Sequence, residues 1–424
     1  MTERRNLMKK HKTSKSLICL LLACSILFSV SACRTVKAEN LMDGITPNNI
    51  ELTADVSASS ADITDFAIRL FKATSENGKN TLVSPLSVMY ALAMTANGAE
   101  GETLSEMERV LGINREELNS LLYAYISTLP NGEKYKLSIA NSIWFKDDSR
   151  FSVKRDFLQK NADYYGADIY KSAFDNRTLK DINNWVSKKT DGMIDKALDE
   201  ISDDAIMYLV NALAFEAEWR SIYNSKQVRD GEFTSESGEK MSVEMMYSDE
   251  SKYIEDENAT GFIKYYSGGK YAFAALLPNE GMSVSEYLNT LDGESVQAML
   301  SGMKTVSVRA AIPKFETEYS TEMSEILSNM GMPTAFDPSL ADFSSLGSYS
   351  VGNIYINKVV HKTYIRVDER GTKAGAVTVV EMNKATAGDP FETKQVYLDR
   401  PFVYMLIDCE NNIPFFIGTT MSVE

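Results

Sequence analysis

Glu369-Arg370-Gly371-Thr372-Lys373-Ala374-Gly375-Ala376-Val377-Thr378-Val379-Val380 reads as a strand that runs directly into a loop. Alternate residues of an extended chain share a face. Thr372, Ala374, Ala376, Thr378, Val380 and Met382 therefore lie together, and all are small or apolar. Lys373, Gly375, Val377, Val379, Glu381 and Asn383 form the opposite face, which mixes charge with β-branched residues. Asn383-Lys384-Ala385-Thr386-Ala387-Gly388-Asp389-Pro390 follows with turn and loop chemistry. The small face suits insertion between existing strands, because bulky side chains would need a cavity already opened for them. Taken by itself, the same pattern also fits an ordinary strand that ends in a loop.

On either side of this stretch lie further strands. Thr363, Ile365 and Val367 alternate, as do Leu137, Ile139, Ile143 and Phe145, and Val306, Val308, Ala310 and Ile312, which predicts half-buried strands. Apolar runs at 207–215, 271–277 and 402–407 predict strands covered on both faces, with a buried helix as the alternative for the first. Helical signals concentrate earlier. Ile63, Phe66, Ala67, Leu70 and Phe71 recur at helical spacing, and Ser84-Pro85 supplies a cap and a first-turn proline for a helix closed by Asn97-Gly98. Thr103 and Glu106 have capping-box spacing ahead of Met107, Val110 and Leu111, with Gly112 at the end. Helices early, strands late and no regular β-α alternation predict an α+β fold.

The chain has 424 residues, 44% hydrophobic and 24% charged, with no internal repeat and no linker-like break after residue 60. Residues 1–32 read as a signal peptide: six Lys or Arg residues precede an apolar run from Leu17 to about Ala32. Val30-Ser31-Ala32-Cys33 is similar to a bacterial lipobox, with Cys33 as the lipidated mature N-terminus; Cys24 and an uncleaved anchor are the alternatives. Residues 33–60 are polar and irregular and read as a tether, so the folded domain is expected over 61–424. Only Cys409 then remains, which excludes an internal disulfide and requires a large core. Removing 1–32 moves the formal charge from -15 to -20, which argues against nucleic acid as a partner.

Catalytic chemistry is sparse. The two histidines are His11, in the segment expected to be removed, and His361, so a Ser-His-Asp or Cys-His arrangement would depend on His361 alone. Ser237-Gly238-Glu239-Lys240 matches a Ser-Lys spacing without its accompanying elements. One histidine and one distant cysteine make no transition-metal cage, and phosphate-loop and dinucleotide fingerprints are missing. The reading is of a protein that is not an enzyme and uses no metal or cofactor.

Glu369-x-Gly371-Thr372-x-Ala374-x-Ala376 resembles the hinge of the serpin family. His361-Lys362, Arg400-Pro401-Phe402-Val403, Pro414-Phe415-Phe416-Ile417-Gly418 and, upstream, 80–87, 190–194, Leu209-Val210-Asn211-Ala212, Trp219 and 277–281 match that family in order from about Ile63 to the C-terminus. The resemblance implies three mainly antiparallel β-sheets, eight or nine helices and an exposed reactive-centre loop over about 369–395. It implies a suicide-substrate inhibitor that forms a covalent 1:1 complex with a serine protease, with cysteine proteases as a second target class. Loop cleavage, acyl-enzyme formation and insertion of the hinge (Glu369, Gly371, Thr372, Ala374, Ala376, Thr378) into the central sheet are the steps. It places Ser84, Asn211 and His361 in a polar shutter under the sheet, and Lys314 paired with Glu369 near Trp219 at its top. A non-inhibitory binding protein on the same fold is the alternative, and a solute-binding lipoprotein a more distant one.

Counting about sixteen residues from Glu369, as in inhibitory serpins, puts the reactive bond between Ala385 and Thr386, which suits elastase- or subtilisin-like targets. Lys384 is the alternative and points to trypsin-like enzymes; Met382 is weaker. Lys373 stands where the family usually has Glu, Gly375 and Val377 replace common alanines, and the terminal proline is missing. All three internal departures fall on the face away from insertion. The expectation is thus a monomer outside the cytoplasm, secreted or held at the membrane by its lipid alone.

Overall fold

The computed structural model describes residues 38–202, 205–372 and 393–423, and the folded unit begins at Ala38. Cys33 and the signal segment fall outside the described residues, as do Ala374, Ala376, Thr378, Lys384, Ala385 and Thr386.

Nine α-helices and three sheets make up the described residues. The central sheet has seven strands in the order 39–40, 168–172, 135–146, 207–218, 371–372, 358–367, 315–322. Nine strands form the second sheet: 393–397, 304–313, 240–255, 259–265, 271–278, 402–408, 414–420 and 81–83 in order, with 228–234 also paired to 240–255. Phe151–Val153 and Gly347–Tyr349 form a small third sheet. The alternating and fully apolar runs all fold as strands. Met207–Glu218, where helix was the alternative, is a strand buried along most of its length.

Helix Pro85–Ala96 is buried on every face because it packs against 135–146 and 207–218 on one side and 414–420 on the other. Ser84 caps it, its Oγ accepting from the Ser87 N–H. This puts the capping residue directly beneath the central sheet.

Two local expectations need correction. Gly98 does not take a left-handed conformation: Asn97 ends the helix in right-handed geometry, and a Cβ on Gly98 would lie 2.4 Å from Leu346 Cβ, so glycine serves close packing there. Thr103 is not a cap, since its helix runs Gly101–Leu111 with Glu100 at the cap position. Its hydroxyl accepts from Asp342 N–H and the Glu106 carboxylate accepts from Thr334 N–H, so both side chains bind another segment instead.

Residues from Ala38 to about Ser60 are not a tether. Glu39 and Asn40 add a strand to the edge at Lys171 and Tyr170, and Leu41 N–H donates to Ile169 O at 2.8 Å. Asp163 accepts from both Asn48 nitrogens, Gln159 Nε2 donates to Thr46 O, and Leu41, Met42, Ile45, Ala54 and Val56 pack on the core. An otherwise open sheet edge offers unpaired backbone groups to any nearby chain. Because the apolar residues are irregularly spaced, no periodic signal announces the contact.

Candidate functional site

Two neighbouring strands of the central sheet, Met207–Glu218 and Lys358–Val367, run parallel and pair directly from Tyr208↔Lys358 to Ala212↔Lys362. Beyond that point Gly371–Thr372 lies between them. Gly371 faces Glu218 and Thr372 faces Ala217 on one side, while Thr372 faces Val367 on the other. The sheet is therefore closed along one half and divided along the other.

At the closed half sits His361, fully buried, opposite Asn211 in the parallel ladder. Ser84 N–H donates to His361 Nε2 at 3.1 Å, so the ring proton resides on Nδ1, which donates to Asn211 Oδ1 at 2.7 Å. Ser87 Oγ donates to the same oxygen at 2.9 Å. Burial pushes the His361 pKa down to about 3, and protonating Nε2 would set it against the Ser84 donor. The imidazole is thus a fixed neutral linker between helix and sheet that takes up no second proton near neutral pH. Thr363, two residues on, donates to Leu82 O at 2.7 Å. Asn211 Nδ2 and both side-chain polar atoms of Asn141, its neighbour across the ladder, are buried without hydrogen-bond partners among the described residues.

The divided half is held by its own contacts. Asp368 Oδ1 accepts from Arg370 N–H and Gly371 N–H, which folds the chain back on itself. A Cβ on Gly371 would fall 1.9 Å from Ala217 O, so only glycine fits this approach. Trp219 donates from Nε1 to Asp368 O and from its backbone N–H to Arg370 O, both at 2.8 Å. Tyr223 N–H donates to Glu369 O at 3.0 Å, and the Thr372 hydroxyl lies 2.5 Å from Tyr266 OH. Trp219 stacks on Tyr266 with ring centroids 4.4 Å apart. Lys314 Nζ bridges Glu369 at 3.0 Å and Glu244 at 3.2 Å.

The sequence-derived residues Ser84, Asn211 and His361 therefore meet in one cluster, and Lys314, Glu369, Gly371, Thr372 and Trp219 in another. Sequence reasoning missed Ser87, Thr363, Asp368, Tyr223 and Tyr266. Ser87 and Thr363 belong to stretches already singled out; for the others, one isolated polar or aromatic residue carries no signal of its distant partner. Ser237 is bonded to Ser235, while Lys240 pairs with Glu232. Neither forms a nucleophile–base contact with the other. Among the described residues no group of three His, Cys, Asp or Glu side chains is arranged to hold a metal.

Comparison with known proteins agrees with this geometry. The family model described as "Serpin (serine protease inhibitor)" matches residues 61–423. Human Serpin B8 is 30% identical over 83% of this chain and 96% of its own length. The thermophilic serpin tengpin in its native state is 50% identical, with a TM-score of 0.88 over 92% of this chain and 100% of that one. Tengpin in its latent state is 49% identical and has a TM-score of 0.78, over 88% of this chain and all of its own. With a family model spanning most of its length and a divided central sheet of the expected kind, the chain belongs to the serpin family.

Proposed function

We propose that the chain inhibits serine endopeptidases of elastase or subtilisin type as a suicide substrate. The single observation that carries this reading is the register of Gly371–Thr372. Six residues onward from Thr372 is Thr378; six residues back from Ala217 is Asn211, and six back from Val367 is His361. A strand extended in that register brings Thr378 between Asn211 and His361, polar against polar. On the same face Ala374 meets Phe215 and Ile365, Ala376 meets Leu213 and Thr363, and Val380 meets Leu209 and Val359. The Thr378 hydroxyl would replace the direct His361–Asn211 bond and offer an acceptor to the unpartnered Asn211 Nδ2.

In the proposed reaction the protease serine oxygen attacks the Ala385 carbonyl carbon, and the Ala385–Thr386 C–N bond breaks. The Thr386 amine leaves with a proton from the protease's general acid, and the ester holds the protease on the new chain end. The hinge then enters between 207–218 and 358–367, and the attached protease is carried along before water cleaves the ester. Free energy for this comes from exchanging a short direct pairing for two new ladders.

Incubation with pancreatic elastase, subtilisin and trypsin, followed by denaturing gels and mass analysis, tests the reading. A covalent adduct with an elastase- or subtilisin-type enzyme and a released peptide beginning at Thr386 are expected. A peptide beginning at Ala385 moves the bond to Lys384 and the target to trypsin-like enzymes. Thr378→Arg, which would force a charge against His361, should still be cut but yield no adduct. Cleavage of the natural chain without an adduct would replace inhibition by a non-inhibitory binding role.

We also propose that Cys33 carries the lipid and that the domain works outside the cytoplasm. The signal-like segment and lipobox-like residues support this. Incorporation of labelled fatty acid that is lost in Cys33→Ala is the expected outcome.

A further inference from the structure

Beneath the hinge lies a charge pair that the proposed mechanism does not use. Lys264, on strand Ala259–Tyr265, has a side chain only 2% exposed, and its Nζ is 2.7 Å from Glu250 Oε1. The same carboxylate oxygen accepts from Ser248 Oγ, which lies 3.2 Å from Tyr223 OH. The ammonium sits 4.3 Å from the centroid of the Tyr223 ring and 5.4 Å from that of Trp219. These are the two residues that donate to three consecutive carbonyls where the hinge begins, Asp368 O, Glu369 O and Arg370 O. One buried cation thus faces both rings whose backbones and indole hold the hinge in place.

We propose that Lys264, neutralised by Glu250, is a positioning residue that sets how firmly the hinge is gripped before insertion. Replacing a buried ion pair by apolar side chains of similar size is often neutral or stabilising, so packing alone gives no reason for a charge here. What the ammonium adds is direction: cation–π attraction draws both ring faces toward a single point, and Glu250 fixes that point. Although burial opposes its charge, Tyr223 and Glu250 outweigh the penalty and hold the Lys264 pKa above its ordinary value. Without the cation, the rings lose their shared anchor and the Trp219 and Tyr223 amides release the hinge carbonyls more often. The functional consequence, a change in how quickly the hinge leaves for the sheet, rests on the insertion mechanism proposed above.

Hydrogen exchange on the full chain, without any protease, tests this. In Lys264→Met the amides of Trp219 and Tyr223 are expected to exchange at least about tenfold faster, while those of Phe273 and Leu276 in the neighbouring strand stay unchanged. Lys264→Met/Glu250→Met leaves no unpaired charge and guards against a single variant that fails to fold. It should keep the natural melting temperature and still show the faster hinge exchange. Unchanged exchange at Trp219 and Tyr223 in the double variant, or acceleration shared equally by Phe273 and Leu276, would overturn the proposal. Adduct formation by the natural chain with elastase reads the inhibitory function separately, so either idea can fail while the other stands.

Discussion

The two halves of the cleft between 207–218 and 358–367 are built in opposite ways. In the closed half, direct backbone pairing from Lys358 to Lys362 is backed by one neutral histidine that ties sheet to helix through Ser84 and Asn211. In the divided half, two residues of strand are held by carbonyl contacts from Trp219 and Tyr223, one glycine-sized gap and a partly exposed ion pair. Buried hydrogen bonds lose heavily when a partner is removed, whereas exposed charges contribute little. The closed half should therefore resist change through a few expensive contacts, and the divided half through steric fit.

The strongest way to break that contrast is His361→Leu. It leaves Ser84 N–H without its acceptor and Asn211 Oδ1 with one donor fewer, at about 2–4 kcal/mol from orphaned buried groups. A clear fall in the urea midpoint is expected, and an unchanged midpoint would mean that the closed half depends on its ladder alone. Gly371→Ala addresses the divided half. Its methyl group cannot share space with Ala217 O, so a cost of about 1–3 kcal/mol is expected, and proteolysis near Thr372 should quicken. If Gly371→Ala costs more than His361→Leu, the ranking of the two halves is reversed.

Acid sharpens the comparison further. Unfolded histidine titrates near 6.5, whereas folded His361 is depressed to about 3. Its contribution is complete above pH 6.5. As pH falls from 6.5 toward 3, the unfolded chain binds a proton that the folded one does not, so stability declines by up to about 1.4 kcal/mol per pH unit. The difference in urea midpoint between natural protein and His361→Leu should narrow over pH 6.5 to 5. Lys314→Met, which deletes the partner of Glu369 and Glu244, is expected to cost the least, below about 1 kcal/mol, in thermal melts at moderate salt.

These residues also show how far sequence reading reaches. Gly371 and Thr372 are legible because strand geometry fixes which residues share a side; the rest of the alternating face lies outside the described residues. Ser84 is legible because a helix start needs a cap and tolerates proline after it. The pairing of Lys314 with Glu369, and the gathering of Ser84, Asn211 and His361, came from family resemblance, and the structure places these groups within hydrogen-bonding or ion-pair reach. Residues 38–60 carry no sequence signal of their docking, because the contact is made by scattered apolar side chains and a two-residue strand, too short for any period to emerge.

By itself the sequence determined the α+β class, the principal strands and the capped central helix. Each follows from interactions within a few residues, where sterics and side-chain alternation act locally. Only the tertiary structure decided that the sheet is paired below Lys362 and divided above it, that Trp219 and Tyr223 hold the carbonyls of residues 368–370, and that Lys264 lies against both rings. Asn211 and His361 stand 150 positions apart, and nothing local in either stretch specifies the other. Their meeting is fixed by the pairing of two strands of one sheet over a buried helix.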